Sequence, residues 1–85
     1  MIVILLQYAP ITVRVCACLE LGAGMTASQV VAVTGIHHTQ VKVELKRHLE
    51  GGRVSRERVG HEFRYHLVRL GKEWLRGERE RLHGE

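Results

Sequence analysis

Residues 26–54, TASQVVAVTGIHHTQVKVELKRHLEGGRV, constrain this chain more than any other stretch. They read as two short helices separated by one glycine, the second closed by a glycine pair. Thr26 or Ser28 offers a side-chain oxygen to the unpaired N–H groups of the first turn. Val30, Val31 and Val33 are the apolar residues of that helix. Gly35 can take the positive φ that a sharp interhelical turn needs, and Ile36 then anchors the turn in the core. The second helix is predicted over His38–Leu49, with Val41, Leu45 and Leu49 recurring at i, i+4 and i+8 and facing inward. Its opposite face carries Thr39, Gln40, Lys42, Val43 and Lys46. Gly51-Gly52 stops it.

The flanking segments complete a three-helix unit and a hairpin. Pro10 suits the first turn of a helix, where its missing N–H costs nothing. The helix that follows is predicted over Ile11–Leu21, with Ile11, Val15, Cys18 and Leu19 as its buried stripe and Gly22-Ala23-Gly24 as its end. Downstream, RVSRERVGHEFRYHLV (53–68) reads as a β-hairpin. Phe63, Tyr65 and Leu67 alternate with Glu62, Arg64 and His66, a half-buried strand pattern, and Gly60 permits a tight turn at Val59-Gly60-His61. Arg56, Arg58 and Arg64 lie close to that tip, within reach of a phosphate or a minor groove. Residues 70–82 read as a helix with Leu70, Trp74, Leu75 and Leu82 on its apolar side, weakened by Gly71 and Gly77. Its exposed face mixes Glu73, Glu78 and Glu80 with Arg76, Arg79 and Arg81. Residues 2–8, IVILLQY, are an apolar start whose β-branched content favours a strand without deciding it. This segment packs either on a second subunit or on the chain's own core.

With 85 residues the chain is expected to be one domain, 1–85. Its formal net charge is +4, and the placement matters more than the total. Residues 37–69 hold eight Lys/Arg against four Asp/Glu, whereas 1–36 and 70–85 each sum to zero. A localised basic region suits a polyanion; its blander reading is a solvated face. The longest apolar run, Ile2–Leu6, is far below the ~20 residues a membrane span needs. It also lacks the basic flank and length of a signal peptide, so an intracellular, cytoplasmic protein is expected. Cys16 and Cys18 sit too close on one helix to bridge each other comfortably. One is expected to be a small core residue and the other half exposed; the alternative is a redox switch or an intermolecular disulfide. His37 and His38 point apart, His61 and His66 face opposite sides of a strand pair, and no C-x₂-C or H-x₃-H spacing occurs, so no metal or other cofactor is expected. No nucleophile–base pair, phosphate loop or catalytic carboxylate pair is apparent, which argues against an enzyme.

In this order and spacing, the chain resembles the winged helix-turn-helix transcription regulators, in particular the small MarR-like and ArsR-like repressors. MTASQVVAVTGIHHTQVKVELKRHL matches their second and third helices. GGRVSRERV matches the helix exit and first wing strand, and FRYHLVRLGKEWL the second strand and following helix. The resemblance implies an α+β fold: a three-helix core over residues 11–50, a two-stranded wing over 53–68 and a C-terminal helix over 70–82. It further implies a dimer reading a pseudo-palindrome in double-stranded DNA. By position, His38, Thr39, Gln40, Lys42 and Lys46 would lie in the major groove, and Arg56, Arg58 and Arg64 on the wing. An apolar residue usually stands where this chain has His48, with Leu49 substituting by a small register shift. The cysteine pair of ArsR-like metal sensors lies in the recognition helix, whereas Cys16 and Cys18 lie in helix 1, so metal sensing is not implied.

The leading expectation is a sequence-specific DNA-binding transcription regulator. The alternative is a winged-helix protein-interaction module whose basic face binds an acidic partner, since a fold alone does not fix a function.

Overall fold

A computed structural model describes residues 9–22 and 24–84, with side chains through Leu82. Helix α1 spans Ile11–Cys18 behind Pro10 and tightens into a 3₁₀ turn at Leu19–Leu21. This helix is buried on two sides. Val15, Cys18 and Leu19 join Met25, Val30, Ile36, Val41, Leu45 and Val54 in one apolar cluster. Val13, Cys16 and Ala17 turn the other way and join Ala9 and Leu75 in a second. The single inward stripe predicted from periodicity is therefore corrected: Ile11 is 37% exposed. A helix covered on both sides buries residues that a one-stripe pattern assigns to solvent.

Helix α2 spans Ala27–Thr34. Of the two cap candidates, Thr26 acts, and it does so reciprocally. Its hydroxyl accepts from the Gln29 N–H at 3.2 Å, while the Gln29 side-chain oxygen accepts from the Thr26 N–H at 2.9 Å. Two otherwise unpaired donors are satisfied, an arrangement worth about 1 kcal/mol when its Thr is removed. Gly35 ends the helix at φ +72, where a side chain would be strained, and its N–H donates to Val31 O. Ile36 follows, buried as expected.

Helix α3 spans His38–Glu50. Its buried residues are Val41, Glu44, Leu45 and His48, with Leu49 only half-buried against the first cluster. The expected substitution of Leu49 for an apolar residue at position 48 thus does not occur, because the His48 ring itself enters the interior. Both ring nitrogens have partners there: Nε2 lies 2.8 Å from Thr12 O, and Nδ1 accepts from Arg53 Nε at 2.8 Å. Its edge meets Trp74 with ring centroids 5.2 Å apart. A buried imidazole is tolerable when paired this way and costly when not.

Strands β1 (Val54–Val59) and β2 (Glu62–Leu67) form an antiparallel hairpin turning at Gly60-His61, with Val54 opposite Leu67 and Val59 opposite Glu62. Met25, ahead of α2, exchanges two backbone hydrogen bonds with Tyr65 and ties β2 to the helical core. Helix α4 spans Arg69–Gly84 and returns across α1. Leu75 is fully buried, and Trp74 and Leu82 are half-buried. Leu70, predicted to face inward, is 52% exposed. Gly71 is buried in its place, because α4 begins hard against the chain at Arg53: a Cβ there would lie 2.1 Å from the Arg53 carbonyl oxygen. That carbonyl accepts from the Val68 N–H. The outer end of α4 is fixed by Arg79, whose guanidinium pairs with Glu20 of the 3₁₀ turn. The apolar segment 2–8 lies outside the described residues. Among those described, no helix is long and apolar enough to cross a membrane.

Candidate nucleic-acid interface

The outer face of α3 presents Thr39, Lys42, Val43 and Lys46, all exposed and spaced at i, i+3, i+4 and i+7. His38 opens the helix, and His37 Nδ1 caps it by accepting from the Thr39 N–H at 3.2 Å. Gln40 is placed differently. It is half-buried, and its amide Nε2 donates to Glu44 Oε2 at 2.7 Å. Glu44 itself is 3% exposed and also receives Arg47 Nη1 on the same oxygen at 3.4 Å. Glu44 is absent from the sequence-predicted set. Its spacing of three from Val41 was the available signal, since i, i+3 places both on one helix face.

Strand register decides where the hairpin arginines point. Arg56 is opposite Tyr65 and Arg58 opposite Phe63, so these four share one face with Val54 and Leu67. Arg64 is opposite Glu57 and belongs to the other face. The three arginines therefore do not form one cluster, although all are exposed. The Arg56 guanidinium lies 4.1 Å from the Phe63 ring centroid, a cation–π contact that holds the charge upright on the strand. Arg58 Nε donates to Gly60 O at 3.2 Å. On the far face, Glu57 Oε1 lies 3.0 Å from His66 Nε2.

The two surfaces meet at an open cleft of about 230 Å³. The start of α2 (Thr26, Ser28), the start of α3 (His38, Lys42) and the hairpin (His61, Phe63, Tyr65) line it. The lining role of His61, Phe63 and Tyr65 was not anticipated from sequence, because it depends on how the hairpin folds back over α2.

Three helices, a hairpin leaving the third, and the third helix exposing a polar face beside that hairpin define one known arrangement. The fold is a winged helix-turn-helix. No protein-family model matches the chain, and no curated protein does. Among solved structures it is similar to a cysteine-to-serine mutant of MarR from E. coli, at 17% identity and a TM-score of 0.76, covering 87% of this chain and 56% of that one. It is also similar to BpsR of Bordetella bronchiseptica, whose DNA binding is regulated by 6-hydroxynicotinic acid, at 14% identity and a TM-score of 0.74, covering 86% and 56%. The winged helix described here thus spans little more than half the length of either structure.

Within this winged helix the cysteines lie away from the cleft. Cys16 and Cys18 are both buried, so neither is half exposed as predicted. Their thiols point into different clusters. Burial pushes the Cys16 thiol up to about 12 and also raises that of Cys18, which disfavours the reactive thiolate in both. Among the described residues no three His, Cys, Asp or Glu side chains are grouped to hold a metal ion.

Proposed function

We propose that the chain is a sequence-specific double-stranded DNA-binding transcription regulator that acts as a dimer. In this reading α3 enters the major groove and the wing lies along the adjacent backbone or minor groove. One observation carries it: Lys42 of α3 lines the same cleft as Phe63 and Tyr65, which share their strand face with Arg56 and Arg58. The local charge agrees, because residues 37–69 hold the whole net charge of +4. A major groove about 12 Å wide admits one α-helix, and Lys42 and Lys46 flank the part of α3 that would enter it. On the wing, Arg56 and Arg58 supply cations for phosphate, which fixes register but carries no sequence information. The DNA binding of BpsR, which shares this fold, favours the same use. A dimer would place two copies of α3 on half-sites one helical turn apart, giving a pseudo-palindromic operator.

Selection from a random duplex library at moderate salt tests the proposal. The expected result is an enriched inverted repeat whose binding weakens steeply with salt, by a slope of roughly −0.9 per phosphate contacted. Failure to retain any duplex, or binding indifferent to salt, would overturn it.

A further inference from the structure

We propose that Val43 reads the C5-methyl group of a thymine, and that Gln40 is a positioning residue rather than a base reader. The inference rests on α3 lying in the major groove and concerns what it reads there.

Gln40 looks like the natural base reader, because Gln pairs with an adenine edge through its amide nitrogen and oxygen together. Here the nitrogen is already committed to Glu44, 2.7 Å away. Glu44 is buried, and its Oε1 has no hydrogen-bond partner among the described residues, so the carboxyl depends on what reaches Oε2. Among the described residues, Gln40 and the longer contact from Arg47, at 3.4 Å, do so. Turning Gln40 toward a base would strip the better of the two from a buried polar group. Gln40 also sits to one side of the outer face, about 100° around the helix from Thr39.

That leaves Thr39, Lys42, Val43 and Lys46 pointing outward. The two lysines are long, flexible cations suited to phosphate or to guanine. Val43 is different in kind. It is the apolar member of this face and is 40% exposed, one turn beyond Thr39 and one turn before Lys46. A β-branched side chain on a helix holds essentially one rotamer, so both methyls are presented without an ordering cost. The major groove offers one apolar feature that differs between base pairs, the thymine methyl. A rigid pair of methyls flanked by a hydroxyl and two cations fits that feature better than it fits any donor or acceptor.

Replacing thymine with deoxyuridine removes only that methyl and leaves pairing intact. The test takes the duplex enriched by the wild-type chain, substitutes each thymine singly, and measures binding of the wild type, Val43→Ala and Gln40→Ala at one salt concentration. Val43 is exposed, so Val43→Ala is expected to fold. The expected result is at least one position per half-site where uracil weakens the wild type about fourfold, the equivalent of one buried methyl-sized group, and does not weaken Val43→Ala. Gln40→Ala should keep the same order of preference among sequences. Uracil substitutions that are all neutral for the wild type would overturn the proposal. So would a penalty that persists in Val43→Ala, or a change of preferred base in Gln40→Ala. Retention of no duplex at all would instead remove the DNA-binding reading on which the proposal rests, and the proposal with it.

Discussion

Arg53 Nε donates to His48 Nδ1 at 2.8 Å, joining the last turn of α3 to the residue that starts the wing. The same guanidinium lies 5.0 Å from the Trp74 ring centroid, and Trp74 meets the His48 edge. The helix that presents the lysines, the strand that presents the arginines and the returning α4 are thus held by one buried histidine. Thr12 closes the arrangement from α1 through Nε2. Nδ1 can accept from Arg53 only when the ring is neutral, because in the protonated ring both nitrogens are donors.

That requirement makes stability depend on pH in a definite direction. Burial holds the His48 pKa below its ordinary 6.5, and the nearby Arg53 cation lowers it further against the opposing Thr12 carbonyl and Glu44. A depressed folded pKa means the unfolded chain binds the proton more readily. The contribution is therefore fully present above about pH 6.5 and is lost as pH falls through the lower, folded value. Thermal melts from pH 7.5 downward should show the midpoint falling below about pH 6.5, and His48→Gln should flatten that fall although it starts less stable. A midpoint that rises on acidification over this range would contradict the assignment.

Gly71 and Gly77 should respond oppositely to the same substitution. Alanine is ordinarily favoured over glycine in a helix interior by about 1 kcal/mol. At Gly77 nothing lies within 4 Å of an added Cβ, so Gly77→Ala should stabilise by roughly 0.5–1 kcal/mol. At Gly71 the Cβ would meet the Arg53 carbonyl oxygen at 2.1 Å and Leu67 Cδ1 at 2.8 Å. Backbone cannot rotate away, so α4 must shift off the wing base, and Gly71→Ala should destabilise by about 1–3 kcal/mol. Urea unfolding of both variants checks the signs, and stabilisation by Gly71→Ala would mean that α4 does not dock on Arg53.

Both cysteines should be slow to react in the folded chain. Each lies inside a cluster with its thiolate disfavoured, Cys16 the more so at about 12. A thiol-disulfide reagent at pH 8 should label neither on the timescale of free cysteine and both after addition of denaturant. Rapid labelling of either in the native chain would reopen a redox role. Non-reducing electrophoresis is expected to give no disulfide-linked dimer.

What sequence made legible, and what it hid, follows from the range of the interactions. Gly35 and Gly60 take positive φ where the turns were expected, because a turn is decided by its own residues. Val41 and Leu45 follow the local helical period and are buried. His48 shares that stripe by spacing, yet its role depends on Thr12, a partner 36 positions away that no local pattern reveals. The exchange of Leu70 for Gly71 as the inward residue has a similar cause: α4 docks on a backbone carbonyl, and carbonyls leave no trace in composition. Val13 and Cys16 were missed because α4 returns to cover a second side of α1. At the interface, the exposure of Thr39, Lys42 and Lys46 was readable, whereas the tether on Gln40 required knowing that Glu44 is buried.

The wing arginines give a last test, because position near the hairpin tip and position on a strand face predict different outcomes. Proximity alone makes Arg56, Arg58 and Arg64 equivalent. Register separates them, with Arg56 and Arg58 on the cleft side and Arg64 across the sheet, opposite Glu57. If DNA lies along the cleft, Arg58→Ala should weaken binding to every duplex about equally and reduce the salt slope by about one. Arg56→Ala should do the same and in addition leave Phe63 without its overlying guanidinium. Arg64→Ala should leave the slope nearly unchanged, since its charge faces away and stands beside a carboxylate. Fluorescence anisotropy over a salt series measures all three. Should Arg64→Ala lower the slope as far as Arg58→Ala, the wing must meet DNA edge-on, with phosphates reached from both of its faces.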